Sequence, residues 1–227
     1  MNIWRFSEPH DDRYARPGRR GSWTGGVGEV CPSCSSSLAV RAQPLVIAWE
    51  PGSDLIGDFS WPGFDSEVVV TDPVLEGLRA IGGFEPGPVE VVEDPDAHEK
   101  PEKRVPFPYR GPRLHELWVT TSVSLDAERS SVELEHRCPT CGTERWEIYG
   151  VDRWDSYFDQ DMKQLVRTKT QRLPNAGIFV NEADLAGAAI FRVNQAPAWI
   201  LCTEKVRALV EEYKFSNVEF LDMGDTI

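Results

Sequence analysis

No stretch of this 227-residue chain stays apolar for the roughly 18 residues that a membrane-crossing helix requires. Its opening, MNIWRFSEPHDDRYARPGRR, lacks the apolar core of a secretory signal. Both absences lead to the expectation of a soluble, cytoplasmic protein. Histidine is scarce, with four in all, and no two stand at a metal-ligand spacing. A phosphate-cradling Gly-Lys-Ser/Thr loop, a His-Glu-x-x-His pair and a Gly-x-Ser-x-Gly elbow are all missing, so the sequence offers no motif for catalysis and the expectation is a non-enzyme. Basic residues are outnumbered, 24 against 37 acidic, for a net charge of −13. Such a field repels a phosphate backbone and attracts a basic partner, which argues against nucleic acid, although acidic faces also simply keep proteins soluble.

The 41% hydrophobic and 10% aromatic content suits a folded chain with a substantial core. Residues 7 to 30 lack apolar periodicity and read as a loop-like lead-in. PLVIAWE (44–50), EVVVT (67–71) and PVEVVE (88–93) read as strands, and Asp72-Pro73 opens a helix that Gly82 and Gly83 close. The proline-rich, charged stretch 94–113 reads as an exposed connection. LHELWVTTSVSL (114–125) and SVELEHRC (131–138) suggest a hairpin, with TERWEIYG (143–150) as a third strand, and YFDQDMKQLVRT (157–168) mixes helix-forming residues with spaced apolar ones. The expected fold is α+β: mixed sheets with short helices and a ribbon-like knuckle pair joined across a long insertion. Residues 1–150 form one region with an inserted αβ unit, and residues 151–227 pack on it as a C-terminal αβ region.

Two segments read alike, VVVTDPVLEGLRAIGGFEPGPVEVV (68–92) and WILCTEKVRALVEEYKFSNVEFL (199–221). Counted from Thr71 and Thr203, Val74 matches Val206 and Leu78 matches Val210. Phe84 falls near Phe215, and Val-Glu-Val and Val-Glu-Phe close the segments. Each predicts a strand-helix-strand unit whose threonine caps the helix. Chance likeness between common αβ patterns is the competing explanation.

Four of the five cysteines form two Cys-x-x-Cys pairs, Cys31/Cys34 and Cys138/Cys141. A two-residue gap lets both sulfurs of a pair converge on one ion, so two pairs can complete a tetrahedral site. The expected occupant is a structural zinc, closed by four thiolates and bearing a net charge near −2. Redox catalysis fits poorly, because β-rich runs flank Cys138 and Cys141 where a helix N-terminus would be needed. An iron–sulfur centre and disulfides within each pair use the same thiols. His136 is close enough in sequence to approach the metal but reads as a surface group. Cys202, within the apolar AWILC, reads as a buried inert thiol, with a nucleophile as the sharper alternative.

With Cys31, Cys34, Cys138, Cys141 and Gly142, and with ILCTEKV near its C-terminus, the chain resembles the double-CXXCG-motif immunity proteins, a myxobacterial paralogous family linked to swarming-inhibition toxins. Ser35 departs from the glycine that this motif places after a pair, so the first knuckle is expected to turn without glycine's freedom. The resemblance implies an antitoxin that binds a cognate protein toxin delivered by a kin cell, and the acidic charge suits a basic toxin. Candidate partner-binding groups are Asp94, Asp96 and Glu99 in one charged stretch, and Asp152, Trp154, Asp155, Tyr157, Phe158 and Asp159 in another. A ribbon-type adaptor or regulator that recognises some other protein is the alternative.

Overall fold

The computed structural model describes residues 1–9, 11–20, 30–36, 44–63, 66–94, 103–159 and 163–227. In chain order its elements are β1 (Asn2–Ser7), β2 (Pro17–Arg20), β3 (Leu45–Trp49), β4 (Phe59–Ser60), β5 (Val69–Thr71), α1 (Asp72–Leu78), β6 (Phe84–Val91), β7 (Leu114–Val119) and β8 (Ser122–Val123). There follow β9 (Val132–Arg137), β10 (Glu144–Ile148), β11 (Arg153–Asp159), β12 (Gln164–Thr170), β13 (Ile178–Val180), a 3₁₀ turn (Glu182–Leu185), β14 (Ile190–Val193), β15 (Ala196–Thr203), α2 (Glu204–Tyr213) and β16 (Glu219–Thr226). Two six-stranded sheets, β13-β16-β1-β15-β14-β8 and β2-β3-β6-β7-β5-β4, form the body, and two hairpins, β9-β10 and β11-β12, stand apart from them. An α+β fold with mixed sheets and short helices is therefore observed.

The paired segments are the same unit twice. β5 and β6 both run antiparallel to β7, which lies between them, and β15 and β16 both run antiparallel to β1. The outer neighbours match as well: β3 is parallel to β6 as β13 is to β16, and β4 is antiparallel to β5 as β14 is to β15. In the first unit the middle strand follows in sequence. In the second it is β1, so the chain's first strand completes a unit built from its last residues. The sheets consequently do not divide the chain at residue 150.

Side chains repeat the correspondence. Thr71 pairs with Leu114 and Thr203 with Ile3, which makes His115 the counterpart of Trp4. His115 Nε2 lies 2.6 Å from Asp72, the first residue of α1, and Trp4 Nε1 donates to Glu204, the first residue of α2, at 2.5 Å. The threonines before the helices have nearly the same extended backbone, φ −81°, ψ 164° and φ −84°, ψ 167°. Neither side chain caps its helix, contrary to expectation, and the Thr71 hydroxyl points instead to Asp58. The units also interlock. Ile190 N donates to Gly82 O after α1, and Phe59 N donates to Ser216 O after α2, both at 3.2 Å. The closing strands, however, match in a different register from the one that the sequence suggests. Trp118 pairs with Glu85 and Ser7 with Glu219, so Glu219 corresponds to Glu85 and not to Glu90. α2 has 10 residues and α1 only 7, which slides the later positions out of sequence alignment.

Alternation along the strands builds three apolar layers. Phe6, Ile190, Ile200 and Cys202 of one sheet meet Phe59, Val68, Val70 and Leu117 of the other, together with Val74 and Leu78 of α1 and Val206 and Val210 of α2. Each such buried aliphatic side chain contributes about 1.5–3 kcal/mol. Intervening residues face outward into two further clusters, Ile3, Leu201 and Phe191 behind the first sheet and Ile47, Trp49, Val69 and Leu114 behind the second. Both faces of each sheet are thus covered.

Several local expectations are corrected. Residues 114–119 form a central strand of a six-stranded sheet because Leu114 and Leu117, three positions apart, enter opposite cores, and among the described residues β9 pairs as a strand only with β10. Residues 157–159 and 164–168 fall in strands β11 and β12, where tertiary pairing overrides helix propensity. The lead-in contains β2, paired with β3.

Gly83 tests the interlock. Its φ is +105°, and a Cβ there would sit 1.8 Å from Ile190 O. Gly83→Ala is expected to lower unfolding stability in denaturant titration by at least about 2 kcal/mol. Gly187→Ala, with φ +87° but open space around it, is expected to cost only about 1–2 kcal/mol. Equal losses would show that the crossing is not tight.

Candidate metal centre

Cys31, Cys34, Cys138 and Cys141 come together, with all four sulfurs within 4.8 Å of one another. Across the knuckles, Cys31 Sγ lies 3.7 Å from Cys138 Sγ, and Cys34 Sγ lies 3.5 Å from Cys141 Sγ. A metal bound tetrahedrally by four sulfurs at about 2.3 Å holds them about 3.8 Å apart. The donor set therefore fits a single ion, and all five cysteines are unbridged thiols. Cys31 and Cys138 are buried, whereas Cys34 and Cys141 are partly exposed at the rim.

Each knuckle is built the same way. Ser35 N donates to Cys31 O and Gly142 N to Cys138 O, both at 2.9 Å, which curls the chain around each sulfur pair. Cys31 N donates to Ser36 O at 2.9 Å and Cys138 N to Thr143 O at 2.8 Å, closing the loops. These turns need a positive φ after the second cysteine. Gly142 supplies it at 74°, and Ser35 adopts it as well, at 58°. The first knuckle thus keeps the glycine geometry without glycine, at a conformational cost of about 1–2 kcal/mol. The sequence offered a signal that went unread: CPSCSS and CPTCGT carry hydroxyls at the same offsets. Ser33 and Thr140 meet at 2.7 Å where the knuckles touch. Ser36 lies 3.2 Å from Cys34 Sγ, and Thr143 lies 3.1 Å from Cys141 Sγ.

Contacts at the second knuckle favour negative sulfur. The Thr143 hydroxyl and amide pull the Cys141 thiol down to about 6. Amides of Cys141 and Thr140 lower Cys138 also. At Cys31, amides of Ser33 and Cys34 act in the same direction, but burial and the adjoining thiols outweigh them and hold it up at about 11. Four sulfurs so placed cannot all be anionic without a cation among them, which is the electrostatic case for an ion here.

The other sequence candidates fall elsewhere. His136 is exposed on β9, opposite Arg145. Cys202 is fully buried in the central core, and burial pushes its thiol well above the ordinary range, so it packs as a small hydrophobe. Asp94 is buried and accepts from Arg20 and Arg104, which makes it an internal ion-pair centre. Asp152 is likewise buried, accepting from Arg172 N and pairing with Lys169. Asp96 and Glu99 lie outside the described residues. In the β11-β12 hairpin Trp154 is half-buried against the second core beneath Arg167, with its indole N–H donating to Glu219. Asp155 accepts from Arg153 and Thr170, and Asp159 ends the strand. Tyr157 and Phe158 are each 54% exposed.

Purified protein is expected to carry one metal ion per chain, and Cys138→Ser to lose it with a stability loss of at least about 3 kcal/mol, since metal binding and folding are coupled. Protons compete for the thiolates, so binding holds at neutral pH and fails on acidification. Release is therefore expected to increase as the pH falls below neutrality. Elemental analysis of samples dialysed across that range reads both effects, and metal-free protein at pH 7 would contradict them. In native protein, Cys202 is expected to resist maleimide labelling even after chelation frees the other thiols, and Cys202→Ala to retain the metal. Rapid labelling of Cys202 would show an accessible, reactive thiol.

No protein-family model matches the chain, and comparison with curated proteins likewise finds no match.

Proposed function

We propose that this chain is a cytoplasmic immunity protein that binds a cognate, basic protein toxin delivered by a kin cell and neutralises it by stoichiometric occlusion, with a structural zinc fastening its fold. The observation that carries the reading is the meeting of two matched knuckles at one point. Four thiolates around zinc would leave no coordination position for substrate or water, which supports a fastening role for the ion and a binding role for the protein. A donor set made only of cysteine thiolates favours zinc among the common divalent ions, and free thiols suit a reducing compartment. The double CXXC arrangement and the ILCTEKV segment support membership of the double-CXXCG-motif immunity family.

Two further features support binding. The net charge of −13 steers a cationic surface toward the protein. Of the acidic stretches, the one around β11 retains a surface role in this reading, because Tyr157 and Phe158 present apolar area among Asp155 and Asp159. Asp94 and Asp152 are instead held in internal ion pairs. No helix among the described residues is long and apolar enough to cross a membrane.

The test is titration of the product of the adjacent gene, which this reading expects to be the toxin. Toxin activity is expected to vanish near a one-to-one ratio, and charge reversal at Asp155 and Asp159 together to slow association while zinc content stays constant. Complete inhibition at strongly substoichiometric amounts would mean turnover and overturn the reading. Indifference to the toxin, with capture of a different protein, would favour an adaptor.

A further inference from the structure

Strand β11 pairs with β12 along one edge, and among the described residues no strand pairs with its other edge. An unprotected edge is a template for a further strand. Its sequence, RWDSYFD, is complementary to itself when reversed about Ser156. Laid antiparallel on a second copy in that register, Arg153 faces Asp159, Trp154 faces Phe158, Asp155 faces Tyr157, and Ser156 faces its own copy. Sliding the centre to Asp155 sets that acid against itself, and sliding it to Tyr157 sets Asp155 against Asp159. Parallel pairing in register opposes every acid to its twin. Opposite charges and aromatic pairs directly across strands stabilise a sheet, whereas like charges there destabilise it.

The surroundings fit the same arrangement. Tyr157 and Phe158 are adjacent, so they project from opposite faces of the strand, and each is more than half exposed. Trp154 already lies against the second core, and Phe158 from another copy would extend the apolar surface that Trp154 begins. We propose that two copies of this chain associate through their β11 edges, forming a twofold, four-stranded antiparallel sheet in the order β12-β11-β11-β12 centred on Ser156. An edge of seven residues is a small interface, so the dimer is weak and reversible. This edge carries the residues assigned above to toxin binding, so a second copy and a toxin compete for it; self-association is measured on the chain alone, and its failure leaves the immunity reading standing.

Sedimentation of the full zinc-loaded chain from micromolar to millimolar concentration is expected to show a reversible monomer–dimer equilibrium. Arg153→Asp and Asp159→Arg are each expected to weaken it at least about tenfold, because each sets like charges across the interface twice. The combined R153D/D159R chain is expected to regain affinity to within about threefold of the original. These two positions lie about 20 Å apart along one strand, so they cannot compensate within a chain and rescue reports contact between copies. Phe158→Ser, at a side chain more than half exposed, keeps the monomer fold and is expected to weaken the dimer about tenfold as well. A chain that stays monomeric at millimolar concentration, single exchanges without effect, or a combined exchange without rescue would each overturn the proposal.

Discussion

Four sulfur atoms drawn to one point constrain the part of the molecule that apolar packing cannot hold. The β9-β10 hairpin is mostly solvent-facing along both strands, and only Val132 and Ile148 at its base reach a core cluster. A two-stranded hairpin with so little burial is marginal on its own. Its tip, however, carries Cys138 and Cys141, and the partner pair sits between β2 and β3, in a different sheet. An ion at the junction would tie the hairpin to that segment and remove the freedom of the long chain between them. Without positive charge there, the amides and hydroxyl that favour thiolates on the second knuckle would only increase repulsion.

Twofold repetition governs the molecule at two scales. The knuckles share backbone closure, hydroxyl placement and a positive φ, even where the residue is Ser35 in one and Gly142 in the other. The larger units share strand order, strand direction and a ring-to-carboxylate contact at the start of each helix. In both cases the paired elements meet face to face, at Ser33 and Thr140 in the small repeat and through the shared central core in the large one. The larger repeat has an asymmetry with a mechanical consequence. β1 is a middle strand held on both sides, so its sheet closes only when residues 2–7 join residues 196–203 and 219–226.

Much of this was legible in the sequence, and the parts that were not share a cause. The Cys pairs announced their own convergence because ligand spacing is local. Val74, Leu78, Val206 and Val210 announced two amphipathic helices for the same reason. Long-range pairing left no such trace: nothing in MNIWRFS tells that it lies between residues 196–203 and 219–226, and residues 114–119 read equally well as a hairpin arm or a central strand. Residues 164–168 misled because Gln and Leu, like the Met and Lys before them, favour helices locally, whereas pairing with Arg153–Asp159 decides the outcome. Charge misled in another way. Asp94 and Asp152 looked like surface acids in a run of acids, but arginine and lysine from distant positions bury them in ion pairs.

The account rests on a closed, all-sulfur metal centre, and X-ray absorption at the zinc edge of the purified protein tests that most directly. Four sulfur neighbours at about 2.3 Å, with no nitrogen or oxygen in the shell, is the predicted result. Fewer than four sulfurs, or a light-atom neighbour in the first shell, would mean an open or differently built site and contradict the structural role assigned to Cys31, Cys34, Cys138 and Cys141.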